Sequence, residues 1–125
     1  MNGQILTRQD ISWIVEGTFR QETLEQLKAL HREMVAATRV SEPATLNYEW
    51  YIDPVKNTCW IYERYADSGA AAKHLAGFER NYAQRLGQLV SIRSITVMGE
   101  PGSEVINALG NEGVTYLSSL GGFAR

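Results

Sequence analysis

Four segments that alternate side chains with a period of two are separated by two stretches of helical period. Their order limits the fold more than any single residue does. In Ile11 to Phe19, Ile11, Trp13, Val15, Gly17 and Phe19 share one face, and Ser12, Ile14, Glu16 and Thr18 the other. Apolar residues on both faces predict a strand covered, at least in part, on both sides. Arg20 to Val40 repeats Leu24, Leu27, Leu30 and Met34 at helical spacing. Glu22 and Glu25 stand early and Arg32 and Arg39 late, as a helix dipole favours. Ser41-Glu42-Pro43 stops this helix. Leu46 to Ile52 and Thr58 to Tyr65 read as strands joined through an Asp53-Pro54 turn, a connection short enough for an antiparallel hairpin.

Asp67 or Ser68 opens a second helical region that runs to about Val90, with Leu75, Phe78, Tyr82, Leu86 and Leu89 as its stripe. Gly69, Gly77 and Gly87 weaken it, so a break is expected between a short initial helix and a longer one. Ser91 to Met98, with β-branched Ile92, Ile95 and Val97, is the fourth strand. The order is β-α-β-β-α-β. That predicts an α+β, ferredoxin-like domain with an antiparallel sheet and two helices on one face. The chain offers no third layer, so a second copy of the sheet is the expected cover for the other face, and a homodimer the expected assembly. Its 125 residues make a single domain, 1–125, with a core over about 10–100. Residues 103–125 form an extension. Ser103 to Leu109 is expected to make two helical turns and Gly113 to Leu120 a short extended piece. Val105, Ile106, Leu109, Val114, Tyr116, Leu117, Leu120 and Phe123 are too many apolar residues for a disordered tail, so it is expected to pack and to cover one end of the chamber or barrel.

Charge excludes several functions. Twelve basic residues, nine of them scattered arginines, face fourteen acidic ones, which offers no electrostatic grip on nucleic acid or an anionic membrane. No apolar run approaches the length of a membrane helix, and the polar start, Met1 to Asp10, lacks the apolar stretch of a signal peptide. A cytoplasmic location is therefore expected. Cys59 stands alone, which excludes an internal disulfide and a cysteine-built metal site. Two histidines and no clustered acidic pair give no expectation of a metal, and no glycine-rich phosphate loop or dinucleotide fingerprint is present.

Tyr62-Glu63-Arg64-Tyr65-Ala66-Asp67-Ser68, followed by Ala70-Ala71 and His74, resembles the signature of the antibiotic biosynthesis monooxygenase family. The hairpin Tyr48-Glu49-Trp50-Tyr51-Ile52-Asp53-Pro54 is similar to that family as well, down to its turn. The resemblance covers about residues 10 to 100. It implies a dimeric α+β barrel. Its members include cofactor-independent monooxygenases acting on quinols and polyketide anthrones, haem-degrading enzymes and isomerases of signal molecules. The haem-degrading branch uses an Asn in strand one, a Trp near the end of strand three and a His on the next helix. Strand one here has no Asn, and Tyr65 stands where the Trp belongs, so haem degradation is not expected.

Glu63 and Tyr65 are two apart on a strand and share a face, placed here toward the helices with Ile61. Trp60, Tyr62 and Arg64 then face the partner sheet. Asp67 to His74 follows at once, so His74 can return over the strand end. Glu63, Tyr65 and His74 are the candidate catalytic residues. Strand two adds either Tyr48 and Trp50 or Glu49 and Tyr51, so Tyr48, Trp50 and Tyr51, with Phe78, are the candidate substrate contacts. A deprotonated quinol or anthrone can itself give an electron to dioxygen, so no cofactor is required. The protein supplies a base, for which His74 is the choice, neutral donors for the oxyanion, and a dry aromatic pocket. Beside this stand plainer readings: His74 as a boundary histidine, His31 as structural, Glu63 paired with an arginine, and the strand aromatics as packing. Without oxygen chemistry, the same pocket would serve a dimeric small-molecule-binding protein or an isomerase.

Overall fold

The computed structural model describes residues 9–125; most of the polar start of the chain, residues 1–8, on which the argument about a leader rested, lies outside the described residues. The core follows the expected order: β1 Ile11–Phe19, α1 Leu24–Ser41, β2 Thr45–Asp53, β3 Thr58–Tyr65, then two helices α2 Ser68–Asn81 and α3 Ala83–Leu89, and β4 Val90–Met98. The extension adds α4 Ser103–Leu109 and β5 Val114–Leu117. The sheet runs β2-β3-β1-β4-β5. β1 pairs antiparallel with β3 and β4, and β2 with β3, as a ferredoxin-like sheet requires. β5 lies parallel to β4, so the sheet is mixed rather than wholly antiparallel. The reason is α4, which carries the chain back along the sheet before β5 begins.

Alternation on β1 is strict. Ile11, Trp13, Val15, Gly17 and Phe19 are buried under the helices, and the residues between them are half-buried on the other face. Leu24, Leu27, Leu30 and Met34 of α1 pack onto this face, with Thr38 below them. A 3-10 turn over Gln21–Thr23, closed by a Thr23 hydroxyl donating to the Arg20 carbonyl, precedes α1, which therefore starts later than expected. The second helical region breaks as expected, but at Tyr82, whose backbone leaves the helical region, and not at a glycine. The longer helix comes first. Gly17 has a different task. The β1–β4 register shifts between Glu16 and Gly17, and a Cβ at Gly17 would lie 2.6 Å from the Val90 side chain and 2.9 Å from the Ser91 carbonyl. Only glycine fits beside that bulge.

Turns and caps fix the ends. Asp53 accepts the backbone N–H groups of Val55 and Lys56 at 3.0 and 3.1 Å, and Asn57 takes a left-handed φ of 56°, closing the β2–β3 hairpin. Asp67 caps α2 by accepting the Ala70 N–H at 2.8 Å. Ser68 accepts the N–H of Gly102 at 2.7 Å, which ties the extension to the start of α2.

The extension belongs to the core. Val105 is fully buried, Leu109, Val114 and Tyr116 pack against the same cluster, and the Tyr116 hydroxyl donates to the Gly110 carbonyl. Ile106 and Leu117 are partly exposed; Leu120 and Phe123 lie in solvent. Val105→Ala is expected to destabilise the protein by about 1.5–3 kcal/mol, from lost transfer energy and a residual cavity. Phe123→Ala should stay within about 0.5 kcal/mol. Urea unfolding midpoints check both.

Candidate functional site

The hairpin register decides where the chemistry gathers. Tyr48 lies opposite Glu63 and Trp50 opposite Ile61, so Tyr48 and Trp50 face the helices, with Glu63 and Tyr65. Tyr51 is on the opposite sheet face, 58% exposed, with its hydroxyl donating to Glu49; it lies outside the cavity because its strand position has the wrong parity. Thr45 pairs with Tyr65, and the Ala66 N–H donates to the Ala44 carbonyl at 2.9 Å. This closes the α1–β2 loop against the first turns of α2.

That closure brings Glu42 to His74, with Oε1 2.8 Å from Nδ1. On its other side, His74 Nε2 is 3.3 Å from Glu63 Oε1. The same carboxylate accepts the Tyr65 hydroxyl. Glu42 also accepts the Thr45 hydroxyl at 2.9 Å. Glu63 and His74 are buried at 6% and 5% exposure, and Tyr65 is wholly enclosed, so the boundary reading of His74 does not hold. Glu63 pairs with histidine and tyrosine rather than with an arginine. In the sequence Glu42 stands only as part of a helix stop. The one signal for it was topological: it lies just before β2, at the sheet end where β3 finishes and α2 begins.

The three titrating groups pull one another apart. Burial works to lower the His74 pKa, but the Glu42 hydrogen bond and the charges of Glu63 and Glu42 outweigh it and hold the imidazole above 6.5. Burial raises Glu63 above 4.5, against the pull of His74, Tyr65 and Trp13. Burial also works to raise Glu42, yet its bonds from His74 and Thr45 and the nearby Lys73 hold it below 4.5. Tyr48 and Tyr65 are pushed far up by burial and by Glu63, so both stay neutral hydroxyls. The arrangement is a carboxylate, an imidazole whose protonated form its neighbours favour, and a second carboxyl of raised proton affinity, in line. The two carboxylates sit on opposite ring nitrogens and do not converge on a point, and among the described residues no cluster is arranged to hold a metal ion.

A cavity of about 110 Å³ opens beside this line. Val15, Ile61, Phe78, Leu86, Ile95 and Leu109 make its apolar wall, the last of them from the extension. Tyr48, Glu63, His74 and Trp13 bring the polar atoms. Tyr65 does not reach the cavity and instead holds Glu63 from behind, its ring 4.8 Å from Trp13. Trp50 lines a separate hollow under α1, edge-on to His31 with ring centroids 5.0 Å apart and close to buried Cys59. Tyr48 stands edge-on to His74 at 5.1 Å.

The cluster leaves a mark on stability. His74 and Glu63 both bind protons more tightly folded than unfolded, so folded protein carries more protons as pH rises through 4.5 and then 6.5. Stability should therefore fall with rising pH across and above that window. Glu42, held low, acts in the opposite sense, and its contribution is lost only as pH drops below 4.5. Urea midpoints measured from pH 5 to pH 9 should decline, and Glu63→Gln should flatten the decline; a midpoint that climbs with pH would contradict the assignment.

No protein-family model and no curated protein matches the chain. Solved structures do. MupZ from Pseudomonas fluorescens superposes with a TM-score of 0.84 at 20% identity, over 100% of this chain and 96% of its own. Rv0793 from Mycobacterium tuberculosis gives 0.62 at 23% identity, over 75% of this chain and 97% of its own. SnoaB from Streptomyces nogalater, a cofactor-independent oxygenase, gives 0.59 at 15% identity, over 76% and 96%. A structure described as an antibiotic biosynthesis monooxygenase gives 0.62 at 20% identity, over 74% and 99%. The MupZ match takes in the α4–β5 extension, while each of the others leaves about a quarter of the chain unmatched. The chain thus has the α+β ferredoxin-like fold of the antibiotic biosynthesis monooxygenase structures.

Proposed function

We propose that the chain is an enzyme that moves a proton on a small, largely apolar substrate and, with a quinol- or anthrone-like substrate, acts as a cofactor-independent monooxygenase. The observation that carries this reading is the buried line Glu42–His74–Glu63 at the wall of an apolar cavity. Structural likeness to a cofactor-independent oxygenase supports the oxygen chemistry. Glu63 takes the substrate's proton, because burial has made it the more basic carboxylate and because both ring nitrogens of His74 already face carboxylates. His74 and Glu42 stabilise the charge behind it. Tyr48, kept neutral, donates to the oxyanion that forms. The substrate anion then gives its electrons to dioxygen; a methylene or ring C–H carbon becomes a carbonyl carbon, and the second oxygen atom leaves as water. Tyr65 positions Glu63, and Phe78 packs against the substrate.

Oxygen uptake with a panel of hydroquinones and hydroxyanthrones tests this reading. One dioxygen should disappear per quinone formed. Glu63→Gln should slow turnover by roughly 10²- to 10⁴-fold, and Glu42→Gln by less. A Glu63→Gln enzyme of undiminished rate would return the base to His74 or to the substrate's own ionisation. The second reading, an isomerase, draws on the two carboxylates whose pKa values move in opposite directions about one imidazole, an acid and a base in one chamber. Anaerobic wash-in of solvent deuterium with no later oxygen uptake would favour it.

The sheet face away from the helices supports a homodimer. Trp60 and Tyr51 are 41% and 58% exposed there, beside Tyr62 and the Arg64–Asp10 pair at 2.8 Å. Aromatic area of this kind is commonly covered by a partner. Light scattering at micromolar concentration should give twice the 14.0 kDa chain mass. A mass of one chain would rule the dimer out.

A further inference from the structure

His74 has a second open side. Between α1 and α2 lies a cleft of about 240 Å³, and its inner wall is Tyr48, His74 and Phe78, the same three residues that close the apolar cavity. The cleft exists because small residues, Ala37 on α1 and Gly77 on α2, line it. A Cβ at Gly77 would meet nothing closer than an Arg80 nitrogen at 3.9 Å, so a side chain there is sterically permitted. Glycine in mid-helix costs about 1 kcal/mol relative to alanine, a cost that keeps this space open.

The mouth of the cleft is cationic. Lys73 and Arg80, one on either side of Gly77 along α2, both line it, and among the described residues neither is in an ion pair. The Lys73 ammonium donates to the Ser41 carbonyl at 3.4 Å. Glu42 is the cleft's one carboxylate; its hydrogen bonds go to His74 and the Thr45 hydroxyl, and Lys73 acts on it only through its charge, without an ion pair. Asn81 and Tyr82 add neutral polar groups at the rim. Two cations around an opening that leads to a buried acid–base line suit an anionic substituent on the molecule that line acts upon.

We propose that the substrate is a carboxylic acid. Its carboxylate binds Lys73 and Arg80 in the interhelical cleft, and its apolar body reaches past Phe78 toward His74 and Glu63. This inference rests on the reading of Glu42–His74–Glu63 as the reacting site. Lys73 and Arg80 are then specificity residues that hold the substrate by its end and take no part in proton transfer.

Binding of phenylbutyrate and of its methyl ester, followed by amide chemical shifts, tests it without any turnover. The acid should bind about tenfold more tightly than the ester and should shift the Gly77 and Asn81 amides. Replacing both cations, Lys73→Met with Arg80→Met, should abolish the preference and leave the ester's affinity unchanged. Gly77→Leu should weaken the acid about tenfold while the thermal midpoint holds or rises, because leucine favours helix and fills the cleft. Equal affinities for acid and ester, a preference that survives the double substitution, or saturation by neither probe at millimolar concentration would each overturn the proposal. A clear preference for the acid in a protein that oxidises no quinol would leave this inference standing and remove only the oxygenase reading.

Discussion

Both nitrogens of the His74 ring face carboxylates, and the rest of the site is arranged around that fact. An ion enclosed at this depth is tolerated only when its partners are in place, since removing one leaves an uncompensated buried charge worth about 3–5 kcal/mol. The partners come from distant parts of the chain: Glu42 from the end of α1, Glu63 from β3, and His74 from α2. The cluster therefore couples the seating of both helices to the register of the central hairpin. The Tyr65 and Thr45 hydroxyls donate to these carboxylates as well, which helps two carboxylates share one imidazole in a buried place.

A chemical asymmetry follows. The two carboxylates touch the same ring, yet their affinities for protons move in opposite directions, because burial dominates at Glu63 while Glu42 is held by its bonds from His74 and Thr45 and the field of Lys73. In the proposed reaction such a pair would give one chamber a base and a compensating charge. The apolar wall would then matter as much as the polar line: in so apolar a pocket, the transferred proton and new anion of the proposed reaction would be held by fixed groups rather than by solvent. The extension takes part in this, since Leu109 closes the pocket and Val105 anchors the helix that carries it.

The cavity and the cleft meet the same three side chains from opposite sides. One is apolar and the other carries Lys73 and Arg80 at its mouth. A substrate with a greasy body and a charged end would satisfy both, and Gly77, between the two cations, leaves the cleft unfilled beside them.

Much of the fold was legible from local periodicity. A strand's period of two sorted β1 and β3 into their faces, the three-and-four spacing of Leu24, Leu27, Leu30 and Met34 marked the buried side of α1, Asp53-Pro54 marked a turn, and Asp67 or Ser68 a cap, which the structure assigns to Asp67. These properties depend on neighbours within a few residues, so the chain carries them in its order. The pairing of Glu63 with Tyr65 was visible for the same reason. What tertiary structure alone decided was anything that depends on register or on closure between distant segments. Strand two offered Tyr48 and Trp50 or Glu49 and Tyr51 equally, since shifting a strand by one residue exchanges its faces, and only its pairing with β3 fixed the choice. Trp50 shares Tyr48's face yet sits over a different hollow, which no alternation pattern can express. The tail's apolar count announced that it would pack; that it would do so as a parallel fifth strand required the neighbouring edge of β4. Glu42 reached His74 across 32 positions of sequence through the closure of a loop on a helix, and for such a contact the linear order holds no periodic signal.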